Sequence, residues 1–332
     1  MSILVTGSAG FIGFNLCRSL LDAGHQVIGL DSMSTYYDVK LKIDRHAILD
    51  EYELFKKYEV DICNKVALEK LLSENTVTTL VHLAAQAGVR YSISHPETYI
   101  QTNINGTFNL LELAREHKIK HFLFASTSSV YGDNTDLPYS ESSKADSALS
   151  IYAATKKSCE SLTHSYAHLF KIPITCFRFF TVYGPWGRPD MALYKFTESI
   201  LKGKPIDIYN HGDMSRDFTY VDDIVRGISG LIPKIPREAI SESRVDTISK
   251  SAPWRVVNIG NGMSENLMDF VHEIEIATGL KAKKNYLPMQ QGDVCDTWAD
   301  NQLLSDLIGP FPGTGIKVGV QQFVDWFQSY YK

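Results

Sequence analysis

Apolar, β-branched runs recur along the chain at residues 3–5, 26–30, 79–84, 121–125, 174–179 and 256–259. Bounded by Gly, Pro and polar residues, such runs predict buried strands. Between them the apolar positions take on helical spacing. In 11–23, Ile12, Leu16, Leu20 and Leu21 fall near one face, and 96–117 and 150–170 are long enough for several helical turns. Strand then helix, repeated, predicts a parallel sheet covered on both faces.

The alternation weakens after about residue 181, where Gly184-Pro185-Trp186-Gly187-Arg188-Pro189 predicts a long irregular loop. Residues 216–231 predict a helix and 256–259 a strand that return to the first sheet. The expected division is therefore discontinuous: a dinucleotide-binding domain over 1–180 with 216–260 returning to it, and a substrate domain over 181–215 and 261–332. Residues 241–252 are polar and predict a surface loop. There is no internal repeat.

A chain of 332 residues accommodates two such domains, and 44% apolar with 21% charged residues is the balance of a folded, soluble protein. Thirty-three Lys and Arg against 38 Asp and Glu give a charge of −5, which argues against nucleic acid as a partner. The five cysteines, Cys17, Cys63, Cys159, Cys176 and Cys295, show no metal-like spacing, so no metal is expected. Their odd, scattered number fits a reducing compartment. Without a basic leader or a run of 18 apolar residues, the expectation is a cytoplasmic protein with no membrane partner.

Candidate chemistry begins after the first predicted strand, at Thr6-Gly7-Ser8-Ala9-Gly10-Phe11-Ile12-Gly13. Glycines spaced by three before a helix are a variant of the dinucleotide fingerprint. Gly7 permits the tight turn, Gly10 lets backbone N–H groups approach a pyrophosphate, and Gly13 lets helix and strand pack closely. Asp31 closes the second strand, 18 residues past Gly13, where a carboxylate accepts bonds from a ribose and repels a 2′-phosphate. The pattern selects NAD over NADP and predicts a Rossmann-type, doubly wound α/β fold with a smaller, mixed α/β C-terminal domain.

Tyr152 and Lys156 are four apart, so on a helix they share a face, and an ammonium near a phenol favours the phenolate. Tyr36/Lys40 and Tyr52/Lys56 have the same spacing. The 152/156 pair is distinguished by following the run 121–125, whose C-terminal end carries Ser126, Thr127, Ser128 and Ser129, and ligands gather at such strand ends. A tyrosine base needs its reference pKa of ~10 brought down, so a cation must be close.

On the glycine loop, Asp31, Tyr152 and Lys156, the sequence resembles the extended short-chain dehydrogenase/reductase family of nucleotide-sugar epimerases and dehydratases over essentially its whole length. Within that family it is most similar to the 4-epimerases of UDP-glucuronate. The likeness runs through Tyr36-Tyr37-Asp38, through Ala84-Ala85-Gln86-Ala87-Gly88-Val89-Arg90-Tyr91-Ser92, and through Thr181-Val182-Tyr183-Gly184-Pro185-Trp186-Gly187-Arg188-Pro189-Asp190-Met191. The segments beginning at Arg216-Asp217-Phe218 and at Gly292-Asp293-Val294 also match.

The resemblance implies NAD, regenerated in each cycle, and interconversion of UDP-glucuronate and UDP-galacturonate through a transient 4-keto sugar. It implies that Tyr152 takes the 4-OH proton, directly or through Thr127, while Lys156 also bonds the nicotinamide ribose. Cofactor contacts are implied at Gly7, Gly10, Phe11, Ile12, Gly13, Asp31, Asp61, Ile62, Leu83, Ala84, Ala85, Asn103, Tyr152, Lys156 and Phe179. Asn103 is otherwise an exposed helix residue. A homodimer pairing 96–117 with 150–170, and a place in polysaccharide biosynthesis, are implied as well.

For the substrate, the resemblance implies that Arg188 and Thr181 hold the carboxylate, that Thr127 and Ser128 lie at the sugar, and that Arg216 and Asp293 lie toward the UDP. A guanidinium and a hydroxyl suit a carboxylate. Arg188 is otherwise a solvated loop charge, Arg216 a salt-bridge partner where a helix begins, and Arg90 a substrate contact or a surface salt bridge. Gln290 stands where some relatives place an arginine. Phe196 and Tyr209 are candidates for the uracil, or core aromatics. An oxidised C4 leaves the carboxylate β to a ketone, so the acid must be held against loss of carbon dioxide. Dehydratases and decarboxylases carry acidic residues just past the threonine, where this chain has Ser128 and Ser129. The rivals are a 4-epimerase of neutral UDP-sugars and a non-catalytic NAD-binding regulator.

Overall fold

The structure is a computed structural model, and it describes residues 2–237, 246–290 and 292–332. Its first six strands are β1 (Ser2–Thr6), β2 (Gln26–Asp31), β3 (Phe55–Glu59), β4 (Thr79–His82), β5 (His121–Thr127) and β6 (Ile174–Phe179). Short strands follow: β7 (Thr181–Tyr183), β8 (Pro205–Ile208), β9 (Ser215–Arg216) and β10 (Phe218–Tyr220). Strand β11 (Trp254–Ile259) precedes β12 (Glu265–Asn266), β13 (Lys283–Tyr286) and β14 (Asp296–Thr297).

Seven of these form one sheet in the order β11-β6-β5-β4-β1-β2-β3, with every neighbouring pair parallel. The chain runs outward from β1 in both directions, so the strand order reverses between β1 and β4, which opens a crevice at the C-terminal ends of the strands. As expected from the sequence, β11 rejoins this sheet beside β6. The edge strand β3 escaped the pattern because Phe55-Lys56-Lys57-Tyr58-Glu59 is mostly solvated.

The first helices are α1 (Phe11–Asp22), α2 (Val39–Leu49) and α3 (Lys65–Glu74). They are followed by α4 (Tyr91–Ser94), α5 (Pro96–Tyr99), α6 (Gly106–Glu116) and α7 (Ile151–Phe170). Beyond the sixth strand come α8 (Ala192–Leu201), α9 (Val221–Leu231), α10 (Leu267–Thr278), α11 (Gln302–Ile308) and α12 (Ile316–Tyr330). Ser150 caps α7, its hydroxyl accepting from the Ala153 N–H at 3.1 Å, which sets where that helix begins.

The helix expected over 96–117 is interrupted. Between α5 and α6 the residues Ile100–Asn105 form a π-helical turn, a widening that rotates one residue inward. The helix expected from 216 begins only at Val221, because Phe218–Tyr220 pairs in parallel with Thr181–Tyr183 instead.

One apolar layer fills the face of the sheet under α1, α9 and the C-terminal helices, with Phe14, Leu20, Ile224, Ile228 and Phe323 buried in it. The other face is covered by α3, α6 and α7 through Leu68, Leu71, Leu110, Leu113 and Ala167. Outside the main sheet, β12-β9-β14 and β13-β8 make two small sheets whose side faces the crevice. Buried Asp217 staples them to the main sheet: its carboxylate accepts from the N–H of Asn261 (2.6 Å), Gly262 (2.9 Å) and Ala299 (3.1 Å) and from the Thr219 hydroxyl. Of the expected surface loop 241–252, residues up to 245 lie outside the described residues; past them, Thr247 and Ser249 bond Val256 and His164, so this stretch is docked on the body. No helix of the described residues is long and apolar enough to cross a membrane.

Candidate active site

A cleft of about 1060 Å³ runs along the C-terminal ends of the sheet strands and under the small sheets. At one end it is floored by the glycine loop. Gly7 takes φ of +75°, and a Cβ there would lie 2.9 Å from the Ala84 nitrogen; a Cβ on Gly13 would lie 2.0 Å from the Gly7 oxygen. Only glycine lets α1 approach β1 this closely. The first turn of α1 carries no side-chain cap and no acidic residue, so its N–H groups are offered to an anion. Asp31 lies beside them, its carboxylate accepting from the Ala9 N–H (3.2 Å), the Met33 N–H (2.9 Å) and the Lys42 ammonium (3.4 Å). Phe11, Ile12, Asp61, Ile62, Leu83, Ala84, Ala85 and Phe179 complete this end. A loop that a Cβ would fill, uncapped helix donors and a buried carboxylate fit a dinucleotide whose ribose is unphosphorylated.

Arg45 fixes this floor. Its guanidinium donates to the Ala9 carbonyl (2.8 Å), the Tyr37 hydroxyl (2.9 Å) and the Trp186 carbonyl (2.6 Å), tying the glycine loop to the irregular loop after β7.

Midway along the cleft, Tyr152 and Lys156 project from α7 beside Thr127 at the end of β5. Burial raises the Tyr152 phenol above its ordinary value; the groups acting toward the phenolate are Thr127, through a hydrogen bond, and the Arg188 cation. Burial also brings the Lys156 ammonium down to about 8. Its Nζ donates to the Ala125 carbonyl at 2.7 Å and sits 4.9 Å from the Phe124 ring centre. The two residues share a helical face, and the ammonium is held by the strand through the Ala125 carbonyl. Behind them Glu160 accepts from Arg178 and from the Ser126 hydroxyl (2.6 Å), anchoring the end of β5.

The remaining wall carries Ser128, Thr181, Arg188, Phe196, Tyr209, Arg216, Asp293 and Arg90. Arg188 is half-buried and paired: it makes a two-point contact with Asp190, 2.9 Å from Nε and 2.5 Å from Nη2. Arg90 pairs with Asp293 at 3.1 Å and lies over the Tyr209 ring, so two of its expected neighbours at the substrate are its own partners. Arg216 donates to the carbonyls of Ser215, Val294 and Cys295, and no carboxylate pairs with it among the described residues.

Two expected site residues lie off the cleft. Asn103 is 2% exposed because the π-helical turn rotates it inward. There its amide accepts from the Gln86 N–H (2.8 Å) and donates to the Gln86 carbonyl and to Thr155, so it joins the loop after β4 to α7 and is not an exposed helix residue. Gln290 does not line the cleft, and its Oε1 is buried without a partner among the described residues. Conversely, Tyr36, Lys42, Gln86 and Asp190 line it and were not singled out as site residues. For Lys42 a signal existed: Leu41, Lys42, Arg45, His46 and Leu49 share the buried face of α2, and a cation on a buried face asks for a partner.

Residues 3–241 match the family model described as the NAD dependent epimerase/dehydratase family. The chain is 50% identical over 335 residues to a probable UDP-glucuronate 4-epimerase of Rhizobium meliloti (strain 1021), covering 100% of this chain and 98% of that one. It is 43% identical to UDP-glucuronate 4-epimerase 4 of Arabidopsis thaliana, with 100% of this chain and 76% of that one covered. A crystal structure of the Bacillus cereus UDP-glucuronic acid 4-epimerase in complex with UDP-glucuronic acid and NAD superposes with a TM-score of 0.89 at 35% identity, covering 100% of both chains. UDP-glucose 4-epimerase from Thermotoga maritima, with UDP-glucose, gives 0.86 at 28% identity, again over 100% of both.

Proposed function

The chain belongs to the NAD dependent epimerase/dehydratase family, and from that premise we propose that it is a 4-epimerase interconverting UDP-glucuronate and UDP-galacturonate. The observation that carries this is one cleft in which a dinucleotide floor, a half-buried tyrosine with a threonine beside it, and a half-buried arginine face a common space. The chemistry the dinucleotide supplies when bound is reversible hydride acceptance at the sugar's C4.

The chain's own residues do the rest. Tyr152 holds and returns the 4-OH proton with Thr127 as relay; its burial disfavours the phenolate, which Thr127 and Arg188 favour and which Lys156 on the same helical face tunes further. Lys156, anchored on the Ala125 carbonyl, places a cation at the nicotinamide ribose. Gly7, Gly10 and Gly13 bring backbone donors to the pyrophosphate, and Asp31 takes the ribose hydroxyls. Arg188 and Thr181 grip the carboxylate, keeping the bond to C6 out of line with a C4 carbonyl and so opposing decarboxylation. Arg216 and Asp293 hold the UDP, with Phe196 and Tyr209 toward the uracil.

Residues 1–180, with 216–260 returning, serve as the cofactor unit, and 181–215 with 261–332 as the UDP-sugar unit. The protein works in the cytoplasm, in polysaccharide biosynthesis, as a homodimer. The dimer is supported by exposed apolar residues on the 96–116 and α7 helices, among them Ile100, Phe108, Leu169 and Phe170.

A 4-epimerase of neutral UDP-sugars is the second reading, favoured by the match of Arg188 with Asp190, which already balances its charge. Offering UDP-glucuronate and UDP-glucose together in equal amounts decides between them. Preferential turnover of the acid supports the proposal; preferential turnover of the neutral sugar overturns it.

A further inference from the structure

Stretches 36–38 and 181–191 meet at one guanidinium, and 84–92 packs on the Tyr36 that reaches it. Asp190 takes the Nε and Nη2 bonds of Arg188, and the Tyr36 hydroxyl donates to the same carboxylate at 3.1 Å. The Tyr36 ring lies 5.9 Å from the Arg188 guanidinium carbon and 4.9 Å from the Tyr91 ring. Gly88 makes the room: it has φ of +104°, and a Cβ there would lie 2.8 Å from the Tyr36 hydroxyl. Tyr36, Arg188 and Asp190 all line the wall of the cleft.

A guanidinium carries five N–H donors in a rigid fork. The two-point contact with Asp190 consumes one edge and fixes the plane, which leaves the second edge as what Arg188 can offer an anion in the cleft. We propose that Asp190, braced by Tyr36, is a positioning and specificity-determining device: it aims the free edge of Arg188 at the carboxylate of a uronate substrate. The inference rests on the proposed role of Arg188 at that carboxylate. Asp190 touches no substrate and acts only through Arg188. In Asp190→Asn the amide presents N–H groups toward a donor-only guanidinium, so the two-point contact is lost and the fork is free to turn.

The test is calorimetric binding of UDP-glucuronate and UDP-glucose to the holoenzyme, read as the ratio of their Kd values, for wild type, Asp190→Asn, Tyr36→Phe and Arg188→Ala. The ratio reports carboxylate recognition and is insensitive to a general loss of structure. The expected result is a ratio reduced at least tenfold in Asp190→Asn and by a smaller factor in Tyr36→Phe, with UDP-glucose binding within twofold of wild type. If Asp190→Asn fails to fold, Tyr36→Phe, which removes a single hydroxyl, carries the test alone. An unchanged ratio in Asp190→Asn and Tyr36→Phe, with collapse in Arg188→Ala, overturns the positioning role and leaves the proposed function standing. Tighter uronate binding in Asp190→Asn overturns it too, making Asp190 a competitor. An unchanged ratio in Arg188→Ala overturns the carboxylate role of Arg188 itself, and this inference with it.

Discussion

Replacing Lys156 by methionine should stabilise the protein at neutral pH while abolishing its activity. Lys156 is 3% exposed, and burial lowers its pKa from 10.5 to about 8. At ~1.36 kcal/mol per pKa unit, the folded protein pays about 3 kcal/mol to keep the ammonium charged below pH 8. Methionine retains most of the stem's packing but forfeits the bond to the Ala125 carbonyl, worth about 1 kcal/mol at any pH. The net expectation near pH 7 is a variant more stable by about 2 kcal/mol. The sign follows from linkage. Between the folded value of about 8 and the unfolded value of 10.5, the unfolded chain binds more protons, so wild-type stability rises with pH through that window. Methionine has no proton to lose, and the variant's advantage should shift by about 3 kcal/mol toward wild type across it. Urea denaturation of both nucleotide-free proteins at several pH values from 7 to 10.5 measures the difference directly. Parallel stability curves would refute the reasoning, because they would mean that the site carries no buried charge.

Arg188→Ala should lower kcat/KM on UDP-glucuronate roughly 100-fold, the loss of charge-assisted bonds to a carboxylate, and should release decarboxylated sugar visible by proton NMR; full activity with a clean product would remove Arg188 from the site. Gly13→Ala places a Cβ 2.0 Å from the Gly7 oxygen, so purified protein should carry little or no nucleotide when denatured and assayed by chromatography, against a bound dinucleotide in wild type. Arg45→Ala leaves the Ala9 and Trp186 carbonyls and the Tyr37 hydroxyl without their donor, and chemical denaturation should show a loss of at least about 3 kcal/mol.

The sheet was legible because a parallel strand buried on both faces writes a continuous apolar run, as at 174–179 and 121–125. Strand β3 was not, since three of its five residues face water. Strands of two or three residues such as β9 and β14 have no periodicity to read, and Phe218–Tyr220, taken for the start of a helix, is held as a strand by β7. The dinucleotide end of the site was legible for a steric reason: close approach of α1 to β1 admits glycine alone, and the three glycines mark it. Partnerships were not. That Asp190 claims Arg188, that Asp293 claims Arg90, and that Ala125 claims Lys156 are facts of side-chain reach across the fold. Asn103 was placed on the right helix and turned from the cleft by a π-helical widening that leaves no mark in the apolar pattern.

The central claim is tested most directly by incubating the purified protein with UDP-glucuronate, with no NAD added, and following the sugar by proton NMR. The account predicts that UDP-galacturonate accumulates, showing C4 inversion and a retained dinucleotide together. No product even after NAD is supplied, with UDP-glucose converted under the same conditions, would contradict it.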